Sequence, residues 1–417
     1  MPRILFVAMT ESVHTARWLN EIQDLNWDVH LFPSQGWGIH PAIKNVTVHG
    51  IDIRPENSNK NIRFAGAIPF AVPHISDRGN IVLQRLRDHF ASSQTNDGGY
   101  RVRQLIRVIK KIKPDIVHTL EMQHAGYLAL QAKEIMGPSF PTWIFTPWGS
   151  DLYLFGRLPD HRYKIQKVLT SCDYYGPKSE RDIRLAQEFG FKGKFLPVLP
   201  GNGGLDTAKL RSYWQRGRCS DRKIILVKGY QGVMNRALVA LHAIELCGDL
   251  LKDFSIVIYS AAEDVKIKAQ LLSLDLGIPI TILPSQPHEE LLKIYGKARI
   301  SIGLSISDGV PNSLLESMTL GTFPIESDTS CADEWIVNGE NGFIVPPEDP
   351  DRVAEAIRSA IINDNLVNQS AEVNYHIAQK RIDNSVIHPQ VISLYNEVFK
   401  KKQCPKSDKK LCHQNGS

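Results

Sequence analysis

The sequence predicts an α/β protein with two doubly wound parallel sheets, and three observations carry that expectation. Short apolar runs alternate with segments whose apolar residues recur at helical spacing, the pattern of successive β–α units. The alternation breaks once, at Asn202-Gly203-Gly204-Leu205-Asp206 and the polar stretch Arg216 to Arg222, and then restarts. A chain of 417 residues leaves each half long enough for one α/β domain.

Arg3 to Met9 is the first buried strand expected, and Ala16, Leu19, Ile22 and Leu25 give the following helix one apolar face. Asp28 to Phe32, Val46 to Ile51, Asp115 to Leu120, Thr142 to Thr146 and Phe195 to Leu199 read as further strands. Val102 to Ile112 and Ala125 to Ile135 read as helices among them. Arg54 to Gly99, rich in Asn, Pro and Ser, reads as a loop or flap. In the second half the strands are Ile224 to Val227, Phe254 to Tyr259, Thr281 to Leu283, Ile300 to Leu304, Phe323 to Ile325 and Gly342 to Val345. Its helices are Ala237 to Leu246, Val265 to Leu274, Glu289 to Ala298 and Asp351 to Ile361. Val391, Leu394, Tyr395 and Val398 mark a last helix, Val386 to Phe399. The expected domains are 1–205 and 206–385, then a terminal helix, 386–400, and a disordered basic tail, 401–417.

Composition excludes several function classes. A formal net charge of +5 is too small to indicate nucleic acid as a partner. The six cysteines are scattered, without C-x-x-C or metal-ligand spacing, which fits a reducing compartment and predicts no metal site. No apolar run reaches the length of a membrane span, and Met1-Pro-Arg leads straight into a strand rather than a signal peptide. A cytoplasmic protein is expected.

The most informative segment is Asp308 to Glu316, between the apolar run Ala298 to Ser305 and a helix marked by Leu314, Leu315, Met318 and Leu320. Asp308 lies at the mouth of a strand and Glu316 in the first turn of the helix. Gly309 permits a close backbone approach to a ligand, and Pro311 pre-sets the helix entry. A helix N-terminus can hold an anion while the two carboxylates hold hydroxyl groups, and a nucleotide-sugar offers both. The plainer reading makes Ser313-Leu-Leu-Glu316 a capping box and Asp308 a turn residue.

The run Asp308-Gly309-Val310-Pro311-Asn312-Ser313-Leu314-Leu315-Glu316-Ser317-Met318 resembles the signature of retaining glycosyltransferases of family 4, an acid, seven residues, then Glu. The resemblance continues through Gly321-Thr322, Pro324, Glu334-Trp335-Ile336-Val337 and Asn341-Gly342 to Asp349-Pro350 and Val353 to Ile357. Asp308 departs from the usual Glu by one methylene. The resemblance implies the GT-B fold: two Rossmann-like domains facing a central cleft, with the C-terminal helix returning to the first. It also implies donor contacts from Gly309, Val310, Pro311, Asn312 and Ser313, ribose binding by Glu316, and a sugar hydroxyl held by Asp308. Asn202 to Asp206 is similar to the family's N-G-V-D junction.

Phosphate binding is expected at Val227-Lys228-Gly229-Tyr230-Gln231-Gly232-Val233-Met234-Asn235-Arg236, a strand end with glycines, cations and a candidate cap in Asn235. The family pattern has Arg where Tyr230 stands and Lys within one position of Arg236. Arg236 is therefore carried over as a diphosphate ligand, beside Gly229. Lys228 ranks lower because its side chain points to the opposite face of the strand. In the first half, His14 and Arg17 are acceptor candidates, weighed against staple or surface roles. Relatives often carry H-x-H at the end of the strand that holds His118, the second His lying near the donor sugar; here Leu120 takes that position, so the role is vacant or passes to His124, unless His124 caps a helix. Trp148 could stack on a sugar and Asp151 could accept from hydroxyls, against an N-cap role for Ser150 or Asp151.

The resemblance implies retaining transfer, without a metal ion or other cofactor, from a nucleotide-diphosphate sugar to a glycan or lipid-linked acceptor. Asp308, Glu316, Arg236 and His124 are the expected catalytic set. A GT-B epimerase or phosphorylase, and a non-catalytic binding subunit, share the architecture; donor hydrolysis without acceptor separates the last from an enzyme. The lysine-rich tail carries a further expectation of peripheral contact with the anionic inner membrane face.

Overall fold

The computed structural model describes residues 1–35, 38–50, 61–65, 98–200 and 203–403. Contacts divide the chain into two compact units: Met1–Pro177 with Asp182–Gly203 and the chain from His388 onward, and Lys178–Arg181 with Gly204–Ile387.

The first unit is built on an eight-stranded sheet. Its strands are β1 (Arg3–Ala8), β2 (Asp28–Pro33), β3 (Thr47–Val48), β4 (Arg63–Phe64), β5 (Ile116–Leu120), β6 (Thr142–Thr146), β7 (Tyr174–Tyr175) and β8 (Lys194–Phe195). The order is β4-β3-β2-β1-β5-β6-β7-β8 and every pairing is parallel. Ile4 to Ala8 of β1 are wholly buried, as a strand covered on both faces requires. The helices are α1 (Val13–Glu21), α2 (Gly98–Ile112), α3 (Tyr127–Met136), α4 (Pro159–Ser171) and α5 (Glu180–Glu188).

Several expectations are corrected here. The strand expected over Phe195 to Leu199 pairs only at Lys194–Phe195, because Pro197 brings no ladder donor. Within the segment read as a loop, Arg63–Phe64 is a strand and Gly98 and Gly99 are already helical; most of the rest lies outside the described residues. A π-turn, Met122–Gly126, precedes α3 where one continuous helix was expected.

The second unit has the strand order β11-β10-β9-β12-β13-β14, again all parallel. These are β9 (Ile224–Lys228), β10 (Ser255–Tyr259), β11 (Ile280–Ile282), β12 (Ala298–Gly303), β13 (Phe323–Ser327) and β14 (Phe343–Val345). Its helices are α6 (Thr207–Arg211), α7 (Ala237–Leu246), α8 (Glu263–Leu276), α9 (His288–Tyr295), α10 (Asn312–Leu320), α11 (Pro350–Ile362) and α12 (Asp364–Ile382). Helix α12 has no counterpart in the sequence reading. Its buried face mixes Val367, Ala371, Ala378 and Ile382 with Ser370 and Asn374, which hides the apolar period. Asn374 is accommodated by two 2.7 Å hydrogen bonds to Asn341: its Oδ1 accepts from Asn341 Nδ2, and its Nδ2 donates to the Asn341 backbone carbonyl.

The last helix, α13 (Asn384–Gln403), runs three residues beyond the expected end at 400; residues 404–417, with most of the expected tail, lie outside the described residues. From His388 on it belongs to the first unit, as the resemblance implied. Tyr395 is the anchor. Its hydroxyl accepts from Trp18 Nε1 of α1 at 2.7 Å and meets His118 Nδ1 of β5 at 2.7 Å, and His118 Nε2 meets Thr146 Oγ1 of β6 at 2.9 Å. All four groups are buried. Tyr395→Phe strands the indole N–H and an imidazole nitrogen in the core. It should lower unfolding stability by about 1–3 kcal/mol, read as a lower denaturation midpoint.

Candidate functional site

Parallel strands finish at one edge of a sheet, so the turns after β9, β12 and β13 share a side of the second unit. Strand β12 feeds the loop carrying Asp308, and Pro311 takes the N-cap position of α10 in extended backbone (φ −64°, ψ 132°). No side chain caps this helix end, so the capping box admitted by the sequence does not form. Glu316 consequently lies in the second turn of α10, not the first. Val310 packs on the cluster of Leu314, Leu315 and Met318, which seats the loop. Asp308 accepts through Oδ1 from the Gly309 N–H at 2.8 Å, and its carbonyl accepts from Arg181 Nη2. Gly309 O in turn accepts from Cys331 N at 2.9 Å.

Asp308 Oδ2 lies 3.7 Å from the ammonium of Lys228, whose side chain is 17% exposed. That ammonium also stands 5.5 Å from the centre of the Tyr230 ring, the residue in place of the family's Arg. Glu316 is buried, and its Oε1 lies 2.9 Å from His288 Nε2 at the start of α9. Asn312 and Ser313 open α10, and the Ser313 side chain is buried.

The structure reverses the ranking of the cations. The strand face that counted against Lys228 is the one turned toward Asp308. Arg236 is instead engaged locally: Nε pairs with Glu348 at 2.9 Å, and Nη1 donates to the carbonyls of Gly232, Val233 and Asn235. Arg236 itself holds the N-cap position of α7, and Asn235 bridges to Ser305, so Asn235 is not the cap. Gly229 is required by packing. A Cβ there would come within 2.7 Å of Ala261 Cα, and its N–H donates to Tyr259 O while its C=O accepts from Ala262 N.

The sequence reading missed Glu326, which lies on β13 and is 2% exposed. Burial pushes its carboxyl up to about 8, against the nearby Lys228 charge, with Asp308 adding to the rise and Ser313 opposing it. The signal in the sequence was a carboxylate directly after the apolar run Phe323 to Ile325. His288 and Arg181 were also missed, because their partners are distant in the chain.

In the first unit, strands β1, β5 and β6 are neighbours, so the turns after them meet at that sheet's edge. Ser12 caps α1 by accepting from the His14 N–H at 3.1 Å, and the His14 ring meets the Trp148 ring edge-on at 5.4 Å. Arg17 lies close enough to His40 for its charge to help hold that imidazole below its ordinary range, burial being the larger cause. His124 is exposed, and its N–H donates to the Glu121 carboxylate at 3.0 Å. Glu121 is the cap of this turn, held at a positive φ of 77°.

Asp151 is not a helix N-cap: it is buried, and Oδ2 accepts from Met122 N at 2.9 Å and Trp148 N at 2.7 Å, so it shapes the turn under Trp148. Burial raises its carboxyl well above the usual range, and the charge of Glu121 adds to that. Among the described residues no group of three or more His, Cys, Asp or Glu side chains could hold a metal ion. No described helix is long and apolar enough to cross a membrane.

Residues 214–376 match the family model for glycosyl transferases group 1, and residues 3–69 and 76–173 match the model for glycosyl transferase 4-like domains. No curated protein matches the sequence. Among solved structures the chain is similar to sucrose-phosphate synthase from Thermosynechococcus elongatus, at 14% identity and a TM-score of 0.69, covering 96% of this chain and 100% of that one. HepE of Anabaena, solved in complex with UDP, is 11% identical with a TM-score of 0.65, covering 95% and 100%. A glycosyltransferase from Rickettsia africae is 15% identical with a TM-score of 0.62, covering 97% and 99%. At such identities the likeness establishes the fold, GT-B. With both halves matched by family models, the chain belongs to the family-4-like group 1 glycosyltransferases, and it is a transferase.

Proposed function

We propose that this transferase moves a sugar from a nucleotide-diphosphate sugar to a hydroxyl acceptor with retention of anomeric configuration. The observation that carries the reading is the set of Asp308, Lys228 and Glu316 around the N-terminus of α10: a cation and a helix end for a diphosphate, and two acids for hydroxyl groups. HepE, of the same fold, has been solved with UDP and with UDP-glucose, which supports a nucleotide-sugar as donor.

In this reading Glu316 accepts from the ribose hydroxyls and His288 orients its carboxylate. Asp308 accepts from a hydroxyl of the transferred sugar. Lys228 and the α10 N–H groups meet the charge that grows on the diphosphate as the bond from the anomeric carbon to its oxygen breaks. Arg236 joins them by exchanging Glu348 for a phosphate oxygen. That exchange gives up a pair whose acid, Glu348, is 65% exposed and can return to solvent. The acceptor oxygen attacks from the face the diphosphate leaves, and the diphosphate takes its proton, so the reading calls on no metal ion. His14, Trp148 and His124, at the strand ends of the first unit, are the acceptor contacts, and a glycan or lipid-linked glycan is the acceptor class.

Thermal-shift screening of UDP-, GDP-, ADP- and dTDP-sugars should identify a stabilising donor. Glu316→Ala should then weaken that donor by about 2–3 kcal/mol, the loss of hydrogen bonds to a charged acceptor; wild-type donor binding and turnover in this variant would refute the role. The product anomer, assigned by NMR, should match the donor's, and an inverted product would remove the retaining mechanism.

A further inference from the structure

The strand register sets an arrangement that the donor reading does not use. Val227 of β9 pairs with Ile302 of β12, and Gly303, one residue on, pairs with Glu326 of β13. Lys228, Gly303 and Glu326 therefore form one row across three adjacent strands, with side chains on one face. The outer two Cα atoms are about 10 Å apart at ordinary strand spacing. The middle position has no side chain. A Cβ at Gly303 would stand 2.8 and 2.9 Å from the two Glu326 carboxyl oxygens, so that carboxyl lies in the slot which the missing side chain leaves.

We propose that Glu326 is a positioning residue: seated in the Gly303 slot, it sets the charge that the Lys228–Asp308 pair presents to a diphosphate donor. The groups around it are Lys228 of β9, Asp308 of the loop after β12 and Ser313 of α10. The buried hydroxyls of Tyr259 on β10 and Tyr295 on α9 also feel its charge, together with that of Glu316. With Glu326 neutral, Lys228 and Asp308 form a balanced pair, and the ammonium can turn from Asp308 to a phosphate. With Glu326 ionised, a second buried anion competes for the same ammonium and repels the phosphate. Only this last step rests on the donor reading.

The sign of the linkage is fixed by the upward shift to about 8 from an ordinary 4.5. A carboxyl that holds its proton more tightly when folded stabilises the fold below its unfolded value, and that contribution is lost as pH rises through the folded one. The melting temperature of the wild type should therefore fall relative to Glu326→Gln as pH rises from about 5 to about 8, and the difference should level off above that. Parallel pH curves for the two proteins would overturn the proposal. Lys228→Met gives a second reading should the Gln variant fail to fold. It removes the cation that opposes the shift, so the pH at which its own melting temperature stops falling should lie above that of the wild type, and an unmoved curve would overturn the proposal.

The nucleotide-sugar that stabilises the wild type at neutral pH supplies the functional arm. Its Kd for the wild type should rise up to about tenfold per pH unit above about 8, and Glu326→Gln should flatten that rise. A Gln variant that keeps the wild-type slope refutes the coupling. A panel in which no nucleotide-sugar stabilises the protein refutes the donor reading, while the two melting curves still decide whether Glu326 holds its proton.

Discussion

The second unit depends on one constraint: all six of its strands run the same way, so their turns collect at a single edge. That constraint brings together groups that share no local sequence. Lys228 ends β9, Asp308 follows β12 and Glu326 lies on β13, and the order β9-β12-β13 sets them side by side. Helix α10 completes the set by bringing Glu316 under His288. The helix itself is immobilised by packing, since every residue from Ser313 to Leu320 is buried. Ser317 bonds Ser301 of β12 at 2.6 Å, which ties the helix to the strand beneath it.

Burial gives these charges their chemical interest. A carboxylate in water is indifferent to its neighbours, whereas one behind a sheet edge must be paired, hydrogen-bonded or protonated. The two units meet this requirement differently. In the second, Glu326 is held up by burial and Asp308 while Lys228 opposes the rise. In the first, Glu121 and Asp151 spend their oxygens on backbone N–H groups of the turns after β5 and β6. Glu121 is still pushed up to about 7, burial outweighing those hydrogen bonds. These two acids shape loops, whereas His14, His124 and Trp148 of the same edge are more exposed.

The return of α13 to the first unit follows the same economy of buried polar groups. Tyr395 joins Trp18, His118 and Thr146 in one hydrogen-bonded chain, so the helix is fixed by partners on α1, β5 and β6. The family's first His, at position 118, is thereby spent on the core. The exposed imidazole of that edge lies further along, in the turn that carries His124.

The sequence by itself determined the two α/β halves, the family and the Asp308–Glu316 segment, because these rest on local period and contiguous spacing. A continuous apolar run must be a strand buried on both faces, and an acid at each end of a strand–turn–helix survives any packing of the rest. It could not decide which cation serves Asp308, since a strand residue's face acquires meaning only when its neighbours are known. The structure favours Lys228 and turns Arg236 into its own loop. Nor could it find Glu326, whose place depends on a glycine in another strand being directly in register. Spacing along the chain is a one-dimensional property, whereas charge pairing and register belong to tertiary contact, and only the fold could settle them.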